Sequence, residues 1–323
     1  AEGKVVLLLG GAALGPDALD AVSRVTAATG AEALTVTFPP RLTRGAGVPA
    51  VDRLQYLAEF AQMQLAGARA LVLVDAPRPA SFFAYPDKPS DLVPEGCAVF
   101  ELADGGDDVV GALEALADRV APGVAPVPVP AARPERPRGG ALTGETAAAA
   151  IGAWLPEGAV VVDESNTSGL WLAGATAGAP RHDWLTLTGG AIGIGLPLAV
   201  GAAVGAPDRP VVCLESDGSA MYTIQALWTM ARENLDVTVV VFDNSSYAVL
   251  NLELRRVGAT EPGPKASAML DLHDPTLDFV ALAQGLGVPA RRAETVDDLT
   301  AALDEAAGED GPHLVQAVVP PAL

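Results

Sequence analysis

The chain has 323 residues, 50% of them hydrophobic and 5% aromatic, and carries a formal net charge of −20. That length suggests about two domains, each with ample apolar material for a core. The acidity argues against nucleic acid and anionic membrane as partners, and reads as a solvated surface that keeps the protein soluble.

The opening residues Ala1-Glu2-Gly3-Lys4 lead straight into an apolar strand over 5–9, so no secretory signal is expected. No apolar run is long enough to span a bilayer. Cys97 and Cys213 are far apart in apolar surroundings and read as reduced core thiols of a cytoplasmic protein. Gly10-Gly11 makes a turn, and Pro16-Asp17 opens a helix to about Thr29 with Leu19, Val22 and Val25 inward. Further strands are expected over 33–36, 70–74 and 99–102, and helices over 54–65 and 109–120. Residues 1–121 thus read as one α/β domain. The Gly10-Gly11 turn lacks the Gly-x-Gly-x-x-Gly spacing, which disfavours a dinucleotide loop there. The proline-rich residues 122–138 read as an extended, semi-rigid linker rather than a recognition peptide.

Residues 139–323 read as a second domain. A helix is expected over 143–155, with Thr143 as N-cap, and then a strand over 160–162. That strand ends in Asp163-Glu164-Ser165-Asn166-Thr167-Ser168. Such a turn can set N–H and hydroxyl donors on a phosphate, or cap a helix with Thr167 or Ser168, and both can hold at once. The glycine-rich stretch 188–197 can let a flat ligand lie on its backbone, or let a helix pack closely. The organising stretch is 211–250. A buried strand over 211–214 ends in the turn Glu215-Ser216-Asp217-Gly218-Ser219. Ile224, Leu227, Trp228 and Ala231 then recur at helix spacing. A second buried strand over 237–242 stops at Asp243-Asn244-Ser245-Ser246-Tyr247. This is a βαβ unit with a right-handed crossover, so both polar turns lie at the carboxyl ends of adjacent parallel strands. A carboxylate oxygen of Asp217, an amide oxygen of Asn244 and the Ser246 carbonyl suit a hard octahedral cation such as Mg²⁺ that keeps other positions for phosphate and water. A capping Asp and a turn Asn are the plainer alternative. Helices over 250–258, 278–286 and 295–306, a loop at Pro262-Gly263-Pro264 and a strand over 313–319 complete the chain. His182, His273 and His313 read as surface or cap residues, with no metal-ligand spacing among them.

Ser216-Asp217-Gly218 followed by Asn244-Ser245 resembles the Gly-Asp-Gly … Asn-Asn motif of thiamine diphosphate (ThDP) enzymes. Serine replaces the first Gly and the second Asn. Neither change removes a metal ligand, although serine tolerates positive φ less well than glycine. The tracts Asp217-Gly218-Ser219-Ala220-Met221-Tyr222 and Ala226-Leu227-Trp228-Thr229 are similar to the acetolactate synthase and benzoylformate decarboxylase group, the latter branch above all. The resemblance implies two doubly wound parallel-sheet α/β domains, a middle Rossmann-like one and a C-terminal diphosphate-binding one. It implies Mg²⁺ on Asp217, Asn244 and Ser246. It implies ThDP on Asn166, Thr167, Gly190, Ile192, Gly218, Ser219, Tyr222 and Tyr247. Asn166 and Thr167 would take the diphosphate, the Gly190 carbonyl would face the aminopyrimidine, and Ile192 would bend the cofactor. In acetolactate synthases the middle domain often holds FAD, whereas benzoylformate decarboxylases lack it; no motif in residues 1–121 decides.

No stretch resembles the family's pyrimidine-binding domain or supplies its activating glutamate. The resemblance therefore implies a fragment, or one subunit of a split enzyme, inactive alone. The complete enzyme would be a homo-oligomer, dimer or tetramer, acting on a 2-oxo acid. Acetolactate synthase-like decarboxylation and carboligation of pyruvate is the first reading. Benzoylformate decarboxylase-like chemistry and a non-catalytic subunit are the alternatives. A NAD-type dehydrogenase also has two α/β domains, but its glycine fingerprint with a following acidic residue is not in the sequence.

Overall fold

The computed structural model describes residues 3–85, 88–259 and 261–321; Ala1 and Glu2, where the absence of a signal was read, lie outside them. The chain divides into two compact units, Ala1–Pro130 and Ala131–Leu323. In the first, the order is β1 (Lys4–Leu9), α1 (Pro16–Thr29), β2 (Glu32–Thr35), β3 (Leu42–Arg44), β4 (Asp52–Arg53), α2 (Ala58–Leu65), β5 (Ala68–Val74), β6 (Ala98–Ala103) and α3 (Val109–Val120). Its parallel sheet runs β4-β2-β1-β5-β6. Side chains alternate along β1 and both faces are covered. Leu7 and Leu9 pack with Leu19, Val22 and Leu113 of α1 and α3, while Val6 and Leu8 pack with Ala58, Ala61 and Leu65 of α2. Pro16 opens α1, and Gly30 closes it in the left-handed region at φ 73°. α2 starts at Ala58, later than expected, because the Leu54 N–H bonds the Thr35 carbonyl and the Gln55 N–H bonds Gln64 Oε1.

The second unit contains α4 (Gly144–Trp154), β7 (Val160–Glu164), α5 (Leu172–Ala175), β8 (His182–Thr186), α6 (Gly195–Gly205), β9 (Val211–Ser216), α7 (Asp217–Thr223), α8 (Ala226–Arg232), β10 (Val237–Asp243), α9 (Ala248–Arg256), α10 (Pro264–Ala268), α11 (Phe279–Gly285), β11 (Ala290–Ala293), α12 (Val296–Gly308) and β12 (His313–Val318). Its strands are parallel in the order β11-β12-β10-β9-β7-β8. Alternation again splits the core in two. Val161, Val212, Leu214, Val240 and Phe242 face α4 and α12, whereas Val162, Cys213, Val239 and Val241 face α6, α8 and α11. Every residue of β9 and β10 is buried, which is why both read as unbroken apolar runs.

Several expectations are corrected. β9 runs on through Ser216, because Glu215 and Ser216 stay paired with Val241 and Phe242 of β10. The helix then starts at Asp217 without an intervening turn, and it breaks between α7 and α8 at Ile224 and Gln225. Residues Asn166–Gly169 form a 3₁₀ turn with no side-chain cap from Thr167 or Ser168. The loop at Pro262–Pro264 gives way to α10, which Pro264 opens. His182 and His313 are buried rather than superficial, since each opens a strand of the packed sheet, whereas His273 is exposed. Cys213 is a core thiol, but Cys97 is only partly buried. The stretch 122–138 is divided between the units. Val127 bonds Ser23 and Val129 bonds Val48 in the first; Ala132 bonds Gly178 and Arg136 pairs with Asp304 in the second.

Candidate functional site

β8, the next strand in the chain, lies on one side of β7, and β9, which follows β8, lies on the other. A crevice therefore opens beyond the carboxyl ends of β7 and β9, the place where an open parallel sheet binds ligands. Asp217 stands there as the first residue of α7 and is 2% exposed. Its Oδ1 accepts the Gly218 N–H (2.7 Å) and its Oδ2 the Asn244 N–H (3.0 Å), which ties the end of β9 to the end of β10. Asn244 Oδ1 accepts the Ser246 N–H (3.0 Å), and its Nδ2 donates to Ser168 Oγ (3.1 Å). The tight turn this makes leaves Ser245 left-handed, at φ 52°. Tyr247 Oη reaches the Gly218 carbonyl (3.5 Å), and a Cβ at Gly218 would run into the Tyr247 ring.

A second chain of bonds joins the β7 turn to the start of α7. Asn166, left-handed at φ 50°, donates from Nδ2 to Ser216 Oγ (2.7 Å) and Ser219 Oγ (3.1 Å). Its amide is thus turned toward two serine hydroxyls, and Thr167 is buried beside it. Ser216 has ordinary extended geometry (φ −104°, ψ 150°), so serine in place of glycine costs no backbone strain.

The glycine stretch closes the crevice. Gly189, Gly190 and Gly193 have φ of 67°, 65° and 88°. The Gly193 and Gly195 N–H groups donate to Oε1 and Oε2 of Glu164. Thr223 Oγ1 donates to the Gly193 carbonyl (2.9 Å), and a Cβ on Gly193 would lie 2.6 Å from Tyr222 Cβ. Ile192 and Tyr222 stand at this rim, 38% and 59% exposed.

Burial raises the Asp217 pKa to about 6, the neighbouring Asp243 adding to the effect and the N–H bonds opposing it. Burial also pushes Glu164 up, and pushes Glu215 well above the usual carboxylate range, with the Glu164 charge reinforcing it. A cation at Asp217 would restore its ionised form. The Asp217 oxygens accept backbone N–H groups of Gly218, Asn244 and Ser245, and Asn244 Oδ1 accepts that of Ser246; with about four acceptor sites on the carboxylate and two on the amide oxygen, lone pairs remain for such an ion. This donor set of one carboxylate, one amide oxygen and an adjacent backbone fits Mg²⁺ with a diphosphate. The sequence pointed to no site role for Glu164, Glu215 and Asp243, and offered Ser168 as a cap or phosphate donor, not as the partner of Asn244. For the three acids the available signal was a charged residue ending an otherwise apolar strand.

Residues 166–317 match the family described as thiamine pyrophosphate enzyme, C-terminal TPP binding domain. The chain is 60% identical over 317 residues to IlvX of Mycobacterium tuberculosis, whose name places it among acetolactate synthase large subunits; the match covers 98% of this chain and 61% of that protein. It is 34% identical over 245 residues to benzoylformate decarboxylase of Pseudomonas aeruginosa, covering 71% of this chain and 45% of that one. The solved structure of a thiamine diphosphate-dependent 4-hydroxybenzoylformate decarboxylase from Rhodococcus jostii is similar with a TM-score of 0.79 at 26% identity, covering 99% of this chain and 62% of the other. The chain thus spans less than two thirds of the length of these relatives.

Proposed function

We propose that the chain holds ThDP and Mg²⁺ for a reaction of a 2-oxo acid, a reading supported by the match of residues 166–317 to the C-terminal TPP-binding domain of thiamine pyrophosphate enzymes. The metal would sit on Asp217, Asn244 and the Ser246 carbonyl. Thr167, Gly218, Ser219 and Tyr247 would surround the diphosphate. Asn166 acts there through Ser216 and Ser219, to which it donates. Gly190, Ile192 and Tyr222 would border the thiamine rings. Bound ThDP would supply an electron sink for the carbanion left when a 2-oxo acid loses CO₂. The chain's own part is to orient that group and exclude water beneath it, while the bound cation would keep Asp217 ionised.

Carboligation of the acetolactate synthase type is the first reading, on the 60% identity to IlvX. Decarboxylation of the benzoylformate type is the second, on the Asp217–Tyr222 tract and the fold of the Rhodococcus enzyme. The glutamate that activates the cofactor is assigned to a pyrimidine-binding domain outside these 323 residues, in a cytoplasmic homo-oligomer. Flavin is left out of the reading.

The observation that carries the reading is the Asp217 carboxylate on the Asn244 N–H at the crevice. Calorimetric titration of ThDP in the presence and absence of Mg²⁺ tests it. Binding should require the metal and weaken at least roughly tenfold in Asp217→Ala, the scale expected for losing an anionic ligand. Equal affinity in parent and variant would sink the assignment.

A further inference from the structure

Glu164 ends β7 and is 1% exposed. Its two carboxylate oxygens accept two backbone N–H groups of one loop, Gly193 on Oε1 and Gly195 on Oε2, at 2.5 Å each, and the Ser219 hydroxyl bonds the same carboxylate. Gly195 is also the first residue of α6, so the carboxylate faces the positive end of that helix. The loop it grips is costly to order. Three of its residues are left-handed glycines, and glycine loses more freedom on folding than any other residue. Local turn bonds (Gly190 N–H to the Leu187 carbonyl, Ala191 N–H to the Thr188 carbonyl) shape the loop, Thr223 holds the Gly193 carbonyl, and Tyr222 packs where a Gly193 side chain would stand. A Cβ on Gly195 would collide with Glu215 Oε2 and lie 2.9 Å from Glu164 Oε2. The glycine there is what lets the acids reach the backbone. Ile192 lies directly before the first gripped N–H, and Gly190 two residues further back.

We propose that Glu164 is the positioning residue of this platform: it holds the Gly193 and Gly195 N–H groups and thereby sets where Ile192 and the Gly190 carbonyl stand toward the cofactor. This rests on the reading of the crevice as a ThDP site. Glu164 touches no reacting atom and acts through the loop. A carboxylate suits the task because both of its oxygens accept. A glutamine has one acceptor oxygen, and its NH₂ would face the second N–H without a bond.

The test uses the whole chain with Glu164→Gln, which keeps the size and packing of the side chain, and Gly195→Ala, which pushes the loop off the carboxylate without changing Glu164. Amide hydrogen exchange is measured at Gly193 and Gly195, with Val161 and Val240 as core references. Exchange at the loop amides should rise at least roughly tenfold in both variants while the reference amides stay protected. Affinity for ThDP–Mg²⁺ should fall roughly tenfold in step with it. Protection unchanged at both glycines in Glu164→Gln would overturn the inference whatever the cofactor does. Freed loop amides with cofactor affinity unchanged would overturn it as well, leaving Glu164 a structural residue. Failure of the parent chain to bind ThDP–Mg²⁺ would strike at the reading of the site, and the exchange measurement would still decide the grip of Glu164 on the loop. Loss of reference protection in Glu164→Gln shifts the decision to Gly195→Ala, judged by the same exchange criterion.

Discussion

The Asp217 carboxylate is held by the N–H groups of Gly218 and Asn244, and burial still raises its pKa from 3.8 to about 6. In metal-free protein this has a definite sign. The unfolded chain releases the proton near 3.8 and the folded chain only near 6, so between these values the folded state binds more protons. Stability must then fall as pH rises through that window and level off above it. The loss is on the order of 3 kcal/mol, from roughly two pKa units. Denaturant melts of the parent and Asp217→Asn at several pH values should show the parent losing more stability than the variant across the window, because Glu164 and Glu215, also raised, titrate in both. Parallel curves would mean that Asp217 titrates normally. The two serine substitutions in the motif also separate at this scale. Ser216 is in extended backbone and carries no strain, whereas Ser245 is left-handed and is held by Asp243 Oδ1, which accepts from both its N–H and its hydroxyl.

At the scale of elements, α7 and the segment entering α9 meet through Gly218 and Tyr247. Because an added Cβ at Gly218 runs into the Tyr247 ring, Gly218→Ala should cost about 1–3 kcal/mol, the usual range for overpacking. Thermal melts of Gly218→Ala, Tyr247→Ala and the double variant check this. The double variant should be less destabilised than the sum of the singles, because removing the ring removes the clash. Additive losses would place the glycine's requirement elsewhere. Helix starts with a threonine cap were easier to anticipate than those of α2, α7 and α10. Thr143 and Thr295 each form a reciprocal capping box, with Thr146 and Asp298, and Thr143 was legible as an N-cap.

For the whole molecule, Ile192, Met221 and Tyr222 leave an apolar rim 38–59% exposed around the crevice. In the proposed function this rim borders the thiamine rings, and the activating glutamate comes from a domain outside the 323 residues. The chain by itself, given ThDP, Mg²⁺ and a panel of 2-oxo acids, should release no CO₂ at enzymatic rates. Adding a separately expressed pyrimidine-binding domain should bring activity. Turnover by the 323-residue chain alone would refute the placement of the glutamate.

From the sequence come the α/β class of both units and the βαβ order around 211–250, with the Asp217 and Asn244 turns at the ends of adjacent strands. Those depend on hydrophobic period and on the fixed hand of the crossover, both of which are local. It determined less about where strands end. Glu215 and Ser216 look like turn residues, yet pairing with Val241 and Phe242 keeps them in β9. It could not show that Glu164 would meet Gly193 and Gly195, or that Ser168 would meet Asn244, residues 76 apart in the chain. Nor could it show that the Asn166 amide would be turned onto Ser216 and Ser219. Those contacts exist because the parallel sheet brings the carboxyl ends of β7, β9 and β10 side by side, and only the tertiary structure decides which polar groups are then near enough to bond.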